Sequence, residues 1–269
     1  MKKPFKLGVI GCGETAKSIL KGVVLSDFLH EKKILVGDIS EKAFEKVEEL
    51  GVRTTTDNRE VAECCEYLLL AVNKQNFEAV AKSISGCKPE KVITVMSGVK
   101  KNSVKTALGL SSVMVARAIP NLPCSIGSGV VGVDMSDFNK CLDDIEFISN
   151  VFNCIGTVLS VDESKMDAVA GVSGYGPAYA FMFIDSLVDA GVKQGLTKNE
   201  AKILAVQTVL GAAEMVERDE QSISELILKA GGKGAGIEAV KVFEQNNFRN
   251  IVDEAVSACV KRFKELSDK

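Results

Sequence analysis

Up to Val161 the chain alternates short, continuous apolar runs with stretches of helical periodicity, and beyond it the runs stop. The runs at residues 5–10, 67–72 and 91–95 read as strands buried on both faces of a parallel sheet. Shorter strand-like segments occupy 33–36, 113–118, 129–133 and 157–160. Between them, residues 14–25 place Ile19, Leu20, Val23 and Val24 on one helical side. Residues 41–50 form a second helical pattern closed by Gly51, and 77–84 and 137–152 form two more. This alternation predicts an α/β, doubly wound parallel sheet over residues 1–161.

From 162 to 269 the pattern is helical only, with segments near 163–170, 178–193, 198–217, 222–229, 237–245 and 251–266. Thr197-Lys198-Asn199-Glu200 has the spacing of a capping box opening the third of these. The expectation is a second, all-α domain. Its many apolar helical faces, in so short a stretch, call for a partner to bury them.

Bulk properties remove several function classes. The 269 residues carry a net charge of −3, so no basic field is available to recruit nucleic acid. No run approaches the roughly 18 apolar residues of a membrane span. Met1-Lys2-Lys3-Pro4-Phe5-Lys6 leads straight into the first strand and lacks a signal peptide's apolar stretch. The eight cysteines form no C-x-x-C pair, which argues against structural zinc and, with their apolar settings, for free thiols in a reducing, cytoplasmic compartment. A lone histidine, His30, sits in a polar stretch and reads as a surface residue rather than a catalytic one.

The first strand ends in Gly8-Val9-Ile10-Gly11-Cys12-Gly13-Glu14-Thr15-Ala16, a G-x-G-x-x-A pattern at Gly11, Gly13 and Ala16. Gly11 allows a tight turn, Gly13 admits a pyrophosphate to the backbone, and Ala16 lets the helix approach the strand. The helix start offers amide donors and a positive dipole end to phosphates. Glu14 is an awkward neighbour for a phosphate unless it faces solvent. Asp38 follows the second strand, somewhat beyond the roughly 20-residue offset of an acid that accepts ribose hydroxyls. Its charge favours NADH over a 2′-phosphate, with NADPH still open; a helix N-cap is the structural alternative. Ala71-Val72-Asn73-Lys74 and Met96-Ser97-Gly98 end the next two strands, where ligands of such sheets bind. Asn121 stands between Pro120 and Pro123 in a stiff loop, as a ligand contact or a loop cap.

Together these motifs resemble the pyrroline-5-carboxylate reductase family over nearly the whole chain. The family's glycine fingerprint matches Gly11, Gly13 and Ala16, and its loop asparagine matches Asn58. Its A-V-K-P matches Ala71-Val72-Asn73-Lys74, its A-A-G matches Met96-Ser97-Gly98, and its M-P-N-T-P matches Ile119-Pro120-Asn121-Leu122-Pro123. Its S-G-S-G-P-A-Y, the most specific motif, matches Ser173-Gly174-Tyr175-Gly176-Pro177-Ala178-Tyr179. A substrate-side glutamate falls on Glu163. The family's Ser-Pro-Gly-Gly loop ending in Thr falls on Gly231-Gly232-Lys233-Gly234-Ala235-Gly236, where serine, proline and threonine have all become glycine.

The resemblance implies reduction of 1-pyrroline-5-carboxylate to L-proline with NADPH or NADH, on a Rossmann-like domain joined to a helical dimerisation domain. It implies cofactor contacts at Gly11, Cys12, Gly13, Glu14, Thr15, Asp38, Asn58, Ala71, Val72, Asn73, Lys74, Ser97, Gly98 and Asn121. It assigns catalytic roles to Ser173 and Glu163, and substrate binding to Gly231, Gly234, Ala235 and Gly236 through backbone amides. It also implies a homodimer or higher ring, with the site shared between subunits. Without the threonine, a proton donor is missing. A paralogue that binds nucleotide but has lost turnover is the competing reading. A β-hydroxyacid dehydrogenase is disfavoured, because Lys165 faces Val169 where an asparagine is needed one turn later.

Overall fold

A computed structural model describes residues 3–267. Eight strands form one sheet in the order β3-β2-β1-β4-β5-β6-β7-β8. They are β1 Phe5–Ile10, β2 Ile34–Gly37, β3 Arg53–Thr55, β4 Cys65–Leu70, β5 Lys91–Thr94, β6 Met114–Pro120, β7 Gly129–Asp134 and β8 Gly156–Ser160. The helices of this part are α1 Glu14–Leu25, α2 Asn58–Cys64, α3 Phe77–Ser83, α4 Lys101–Leu108, α5 Leu142–Asn153 and the short α6 Met166–Val169.

The continuous apolar runs are explained by burial on both faces. Leu7, Val9, Tyr67, Leu69 and Ile93 face a core shared with Ile19, Val23, Ile148 and Phe152 of α1 and α5. Their neighbours Leu68, Leu70 and Val92 face a second core with Val61, Val80 and Val104 of α2, α3 and α4. Period-two alternation therefore separates two apolar environments rather than apolar from polar.

The sheet is parallel except at β6 and β7, which pair antiparallel. The connection, residues 121–128, is shorter than the dozen or so residues a parallel crossover needs. The helix expected at 41–50 is instead two 3₁₀ turns, Glu41–Lys46 and Glu48–Leu50. Glu41, Glu45 and Glu49 recur at i,i+4, which disfavours an α-helix there. The helix expected at 137–152 begins only at Leu142, after a 3₁₀ turn at Ser136–Phe138. Asn58, expected in a loop, opens α2 behind an Asp57 N-cap.

Among the described residues no strand follows Ser160. The chain divides into two compact units, 1–174 together with the end of the last helix from Val260, and Tyr175–Cys259. The helices α7 Gly176–Lys193, α8 Lys198–Arg218, α9 Ile223–Gly231, α10 Ala235–Gln245 and α11 Phe248–Ser267 complete the chain. The capping box at Thr197 and Glu200 forms as expected, and a second one forms at Ser222 and Glu225. Within the second unit, Val188, Ala201 and Ala205 make a small core with Ile184 and Leu187. Much of the rest of its apolar surface is exposed, including Phe181, Met182, Ile203, Leu204, Leu228 and Val242. No helix among the described residues is long and apolar enough to cross a membrane.

Candidate active site

The strand order reverses between β1 and β4, and at such a switch point the carboxyl ends of the strands splay into a crevice. The first turn of that crevice is Gly11–Gly13. Gly11 has φ +99°, and a Cβ there would lie 2.7 Å from Val72 and 2.8 Å from the Ala71 carbonyl oxygen. No side chain fits that turn. Gly13 is the N-cap of α1, without a side-chain cap and with open space where a Cβ would be. The amides that open α1 therefore face an uncluttered approach.

Asp38 lies at the end of β2, beside the same turn. Its Oδ2 accepts the Cys12 N–H (2.9 Å) and its Oδ1 accepts the Ser40 N–H (3.0 Å). The carboxylate thus ties the glycine turn to the β2 loop, and each oxygen keeps a lone pair for a ligand hydroxyl. Burial, then the Asp38 charge, pushes the Cys12 thiol up, so Cys12 contributes a packed thiol rather than a thiolate, and its amide is already given to Asp38. Glu14 is exposed and paired with Lys46 at 2.8 Å, which holds its carboxyl below the usual range. Its charge is neutralised locally, so it does not oppose an anion at the helix start. Thr15 is exposed in the same first turn.

A cavity of about 190 Å³ adjoins Asp38 and is lined by Gly11, Asn58, Val72, Asn76, Val80 and Ser83, among others. Asn58 is only 5% exposed. The Ser83 hydroxyl spends its proton on the Val80 carbonyl (2.7 Å), so it can only accept from Asn58 Nδ2 (3.2 Å). That fixes the amide orientation and leaves Asn58 Oδ1 buried without a partner. A residue that lines a cavity next to a carboxylate and carries an orphaned acceptor suits an adenosine moiety, with its ribose hydroxyls. Together with the cleared glycine turn, these residues fit a dinucleotide.

The other expected residues are placed as follows. Ala71 and Val72 follow β4, and the Ala71 N–H donates to the Ile10 carbonyl (2.9 Å). Asn73 is the N-cap of the 3₁₀ turn Lys74–Asn76. The Lys74 ammonium donates to the carbonyls of Leu266, Ser267 and Gly98. Ser97 is exposed and Gly98 buried in the turn after β5. Asn121 Oδ1 accepts the Val130 N–H (3.0 Å), closing the loop between β6 and β7, so only its Nδ2 is left to offer a ligand. Ser173 lies in a π-helical turn, Ala170–Gly174, and its hydroxyl donates to the Val169 carbonyl (3.1 Å).

Glu163 Oε1 accepts the Lys101 N–H (2.8 Å) at the start of α4 and lies 3.4 Å from Arg117 Nη1. Arg117 is 2% exposed, with Nε and Nη2 buried and unpartnered. The pairing of Glu163 with a buried guanidinium was not anticipated. The signal was present in the sequence as a lone charge within the apolar strand 113–118. Lys101, equally unanticipated, is buried against Asp134 (2.5 Å) and Asp137 (2.9 Å). In the second unit, Gly231 ends α9, Gly232 takes φ +57°, and Gly234 is the N-cap of α10 without a side-chain cap. The amides of Ala235 and Gly236 open that helix. A Cβ at Gly236 would lie 2.8 Å from the Gly231 carbonyl oxygen.

Comparison with known proteins agrees with this geometry. Residues 163–266 match the family model described as pyrroline-5-carboxylate reductase dimerisation, and residues 6–98 match that described as NADP oxidoreductase, coenzyme F420-dependent. A pyrroline-5-carboxylate reductase of Synechocystis is 34% identical over 98% of this chain and 99% of its own. That of Escherichia coli is 32% identical over 97% and 98%. The structure of a pyrroline-5-carboxylate reductase from Coxiella burnetii superposes with a TM-score of 0.89 at 31% identity, covering 99% of both chains. A Plasmodium falciparum pyrroline carboxylate reductase with NADP bound gives 0.86 at 26% identity, over 99% and 100%. Prephenate dehydrogenase from Aquifex aeolicus shares the fold alone, at 18% identity and a TM-score of 0.53. With full-length identity above 30% to curated reductases, a sheet crevice shaped for a dinucleotide and a helical second unit, this chain belongs to the pyrroline-5-carboxylate reductase family.

Proposed function

We propose that this protein reduces 1-pyrroline-5-carboxylate to L-proline with NADPH or NADH. The observation that carries the reading is the end-to-end likeness to curated reductases of that name, without gaps in coverage at either the dinucleotide or the helical part. When bound, the reduced nicotinamide supplies the hydride. The Gly11 and Cys12 N–H groups are taken by the Gly37 carbonyl and Asp38, so the Gly13 amide and those of the first turn of α1 would hold the pyrophosphate, assisted by the helix dipole. Asp38 accepts from the adenosine ribose, and Asn58 Oδ1 accepts a further donor of the same moiety.

The turns after β4 and β5, with Asn73, Ser97 and Gly98, border the nicotinamide end. They present no free acid: Asn73 and Ser97 do not titrate near neutrality, and the Lys74 ammonium is engaged by carbonyls. The imine nitrogen therefore takes its proton from solvent, and the resulting iminium carbon accepts hydride readily. The amides of Ala235 and Gly236, at the start of α10, hold the substrate carboxylate. Ser173 orients rather than protonates, since its proton is spent on Val169. Glu163 acts from behind, keeping Arg117 and the start of α4 in register.

We further infer a homodimer formed through the second unit, supported by its exposed apolar helices and by the family model it matches. Free thiols at all eight cysteines support a reducing, cytoplasmic setting. The test is a steady-state assay with pyrroline-5-carboxylate and each reduced nicotinamide, read by cofactor absorbance and by proline formed. Turnover with either cofactor is expected. Cofactor binding without turnover with either would refute the reading and return the nucleotide-binding paralogue in its place.

A further inference from the structure

Lys74 stands in the turn after β4, yet its side chain does not enter the crevice as a free charge. Its ammonium donates to the Leu266 carbonyl at 2.6 Å, the Ser267 carbonyl at 3.1 Å and the Gly98 carbonyl at 3.4 Å. The first two are at the end of α11, where carbonyls lack intrahelical partners and the dipole is negative. The third belongs to the turn after β5. One ammonium therefore fastens three backbone segments, which are far apart in sequence, at a single point.

A second contact, independent of Lys74, marks the same junction. Gly98 has φ +70°, and a Cβ on it would lie 3.2 Å from Ser267 Oγ and 3.4 Å from Ser267 Cα. The helix end thus lies against the bare backbone of Gly98. It is itself anchored: the Ser267 hydroxyl donates to the Phe263 carbonyl (2.9 Å), and Phe263 is buried. β4 and β5 are adjacent and parallel, so their following turns lie side by side. The end of α11 bridges them.

We propose that Lys74 is a positioning residue: by clamping the end of α11 onto the turns after β4 and β5, it sets the spacing of the two turns that border the nicotinamide half of the cofactor. This rests on the reductase reading above. The polar groups of the adenosine half, Asp38 and Asn58, make no hydrogen bond to Lys74. The turn after β4 also carries Val72 and Asn76 of the cavity beside Asp38, whereas Ser97 and Gly98 of the turn after β5 are not in its lining, so loosening the clamp falls more heavily on the nicotinamide half. A surface lysine serving only stability would not discriminate between the halves.

The experiment compares the full chain with Lys74→Met and Lys74→Arg, titrating NADH or NADPH by fluorescence and ADP-ribose, or its 2′-phosphate, by calorimetry. The expected result is that Lys74→Met weakens the intact cofactor about tenfold, the loss of roughly one charge-assisted hydrogen bond. ADP-ribose, which lacks nicotinamide, is expected to weaken by clearly less, about twofold at most. Lys74→Arg, which can still donate to carbonyls, restores most of the difference. Equal weakening of both ligands, no weakening of either, or failure of arginine to rescue would each overturn the proposal. Absence of cofactor binding by the wild-type protein would instead overturn the reductase reading.

Discussion

At the scale of single residues, two positions separate what a side chain offers from what its surroundings leave free. Asp38 has the charge that repels a 2′-phosphate, and its two oxygens already hold the Cys12 and Ser40 amides. Asp38→Asn keeps one acceptor and the shape while removing the charge. The ratio of kcat/KM with NADPH to that with NADH is expected to rise about tenfold in this variant. An unchanged ratio would place Asp38 away from the 2′ position. Gly236 stands where the resemblance puts the threonine of the family's loop, and the obvious repair is Gly236→Thr. The Gly231 carbonyl oxygen stands 2.8 Å from where the Cβ would go, so the backbone must shift. The variant is expected to lose about 1–3 kcal/mol in denaturant unfolding without gaining turnover. Higher kcat at unchanged stability would contradict this packing.

At the scale of elements, the polar layer between α4 and the β6–β7 pair makes stability depend on pH. Burial alone would raise the Asp134 and Asp137 carboxyls. For Asp134 the Lys101 ammonium and Ser136 outweigh burial, and for Asp137 Lys105, Lys101 and the Val115 amide do; both are held below the ordinary carboxyl value. Burial would likewise lower Lys101, but the same two carboxylates hold it above its ordinary value. A folded-state carboxyl pKa below the unfolded one contributes stability in full above about pH 4, and that stability is lost as pH falls further. Urea midpoints are therefore expected to be level near neutrality and to fall on acidification below about pH 4. Lys101→Met should cost about 3 kcal/mol at pH 7, because it strands buried carboxylates. That cost should shrink on acidification as the carboxylates take up protons; a pH-independent cost would refute the assignment.

At the scale of the whole molecule, the exposed apolar helices of the second unit have too little core of their own for a unit of their size. Light scattering is expected to give at least twice the chain mass, and a monomer would refute the homodimer. The sequence by itself determined the alternating sheet, the helical second part, the Gly11–Gly13 turn and the Thr197 capping box. Each is written locally: a period, a glycine at a positive φ, a hydroxyl and a carboxylate three residues apart. It did not determine that Asn58 Oδ1 is an orphan, because that depends on the proton of Ser83 being spent on Val80. Nor did it reveal that Glu163 answers a buried Arg117, or that Lys74 grips the end of α11 rather than facing the crevice. Only the tertiary structure decided these, since a side chain's free hydrogen-bonding capacity is what remains after distant parts of the chain have taken their share.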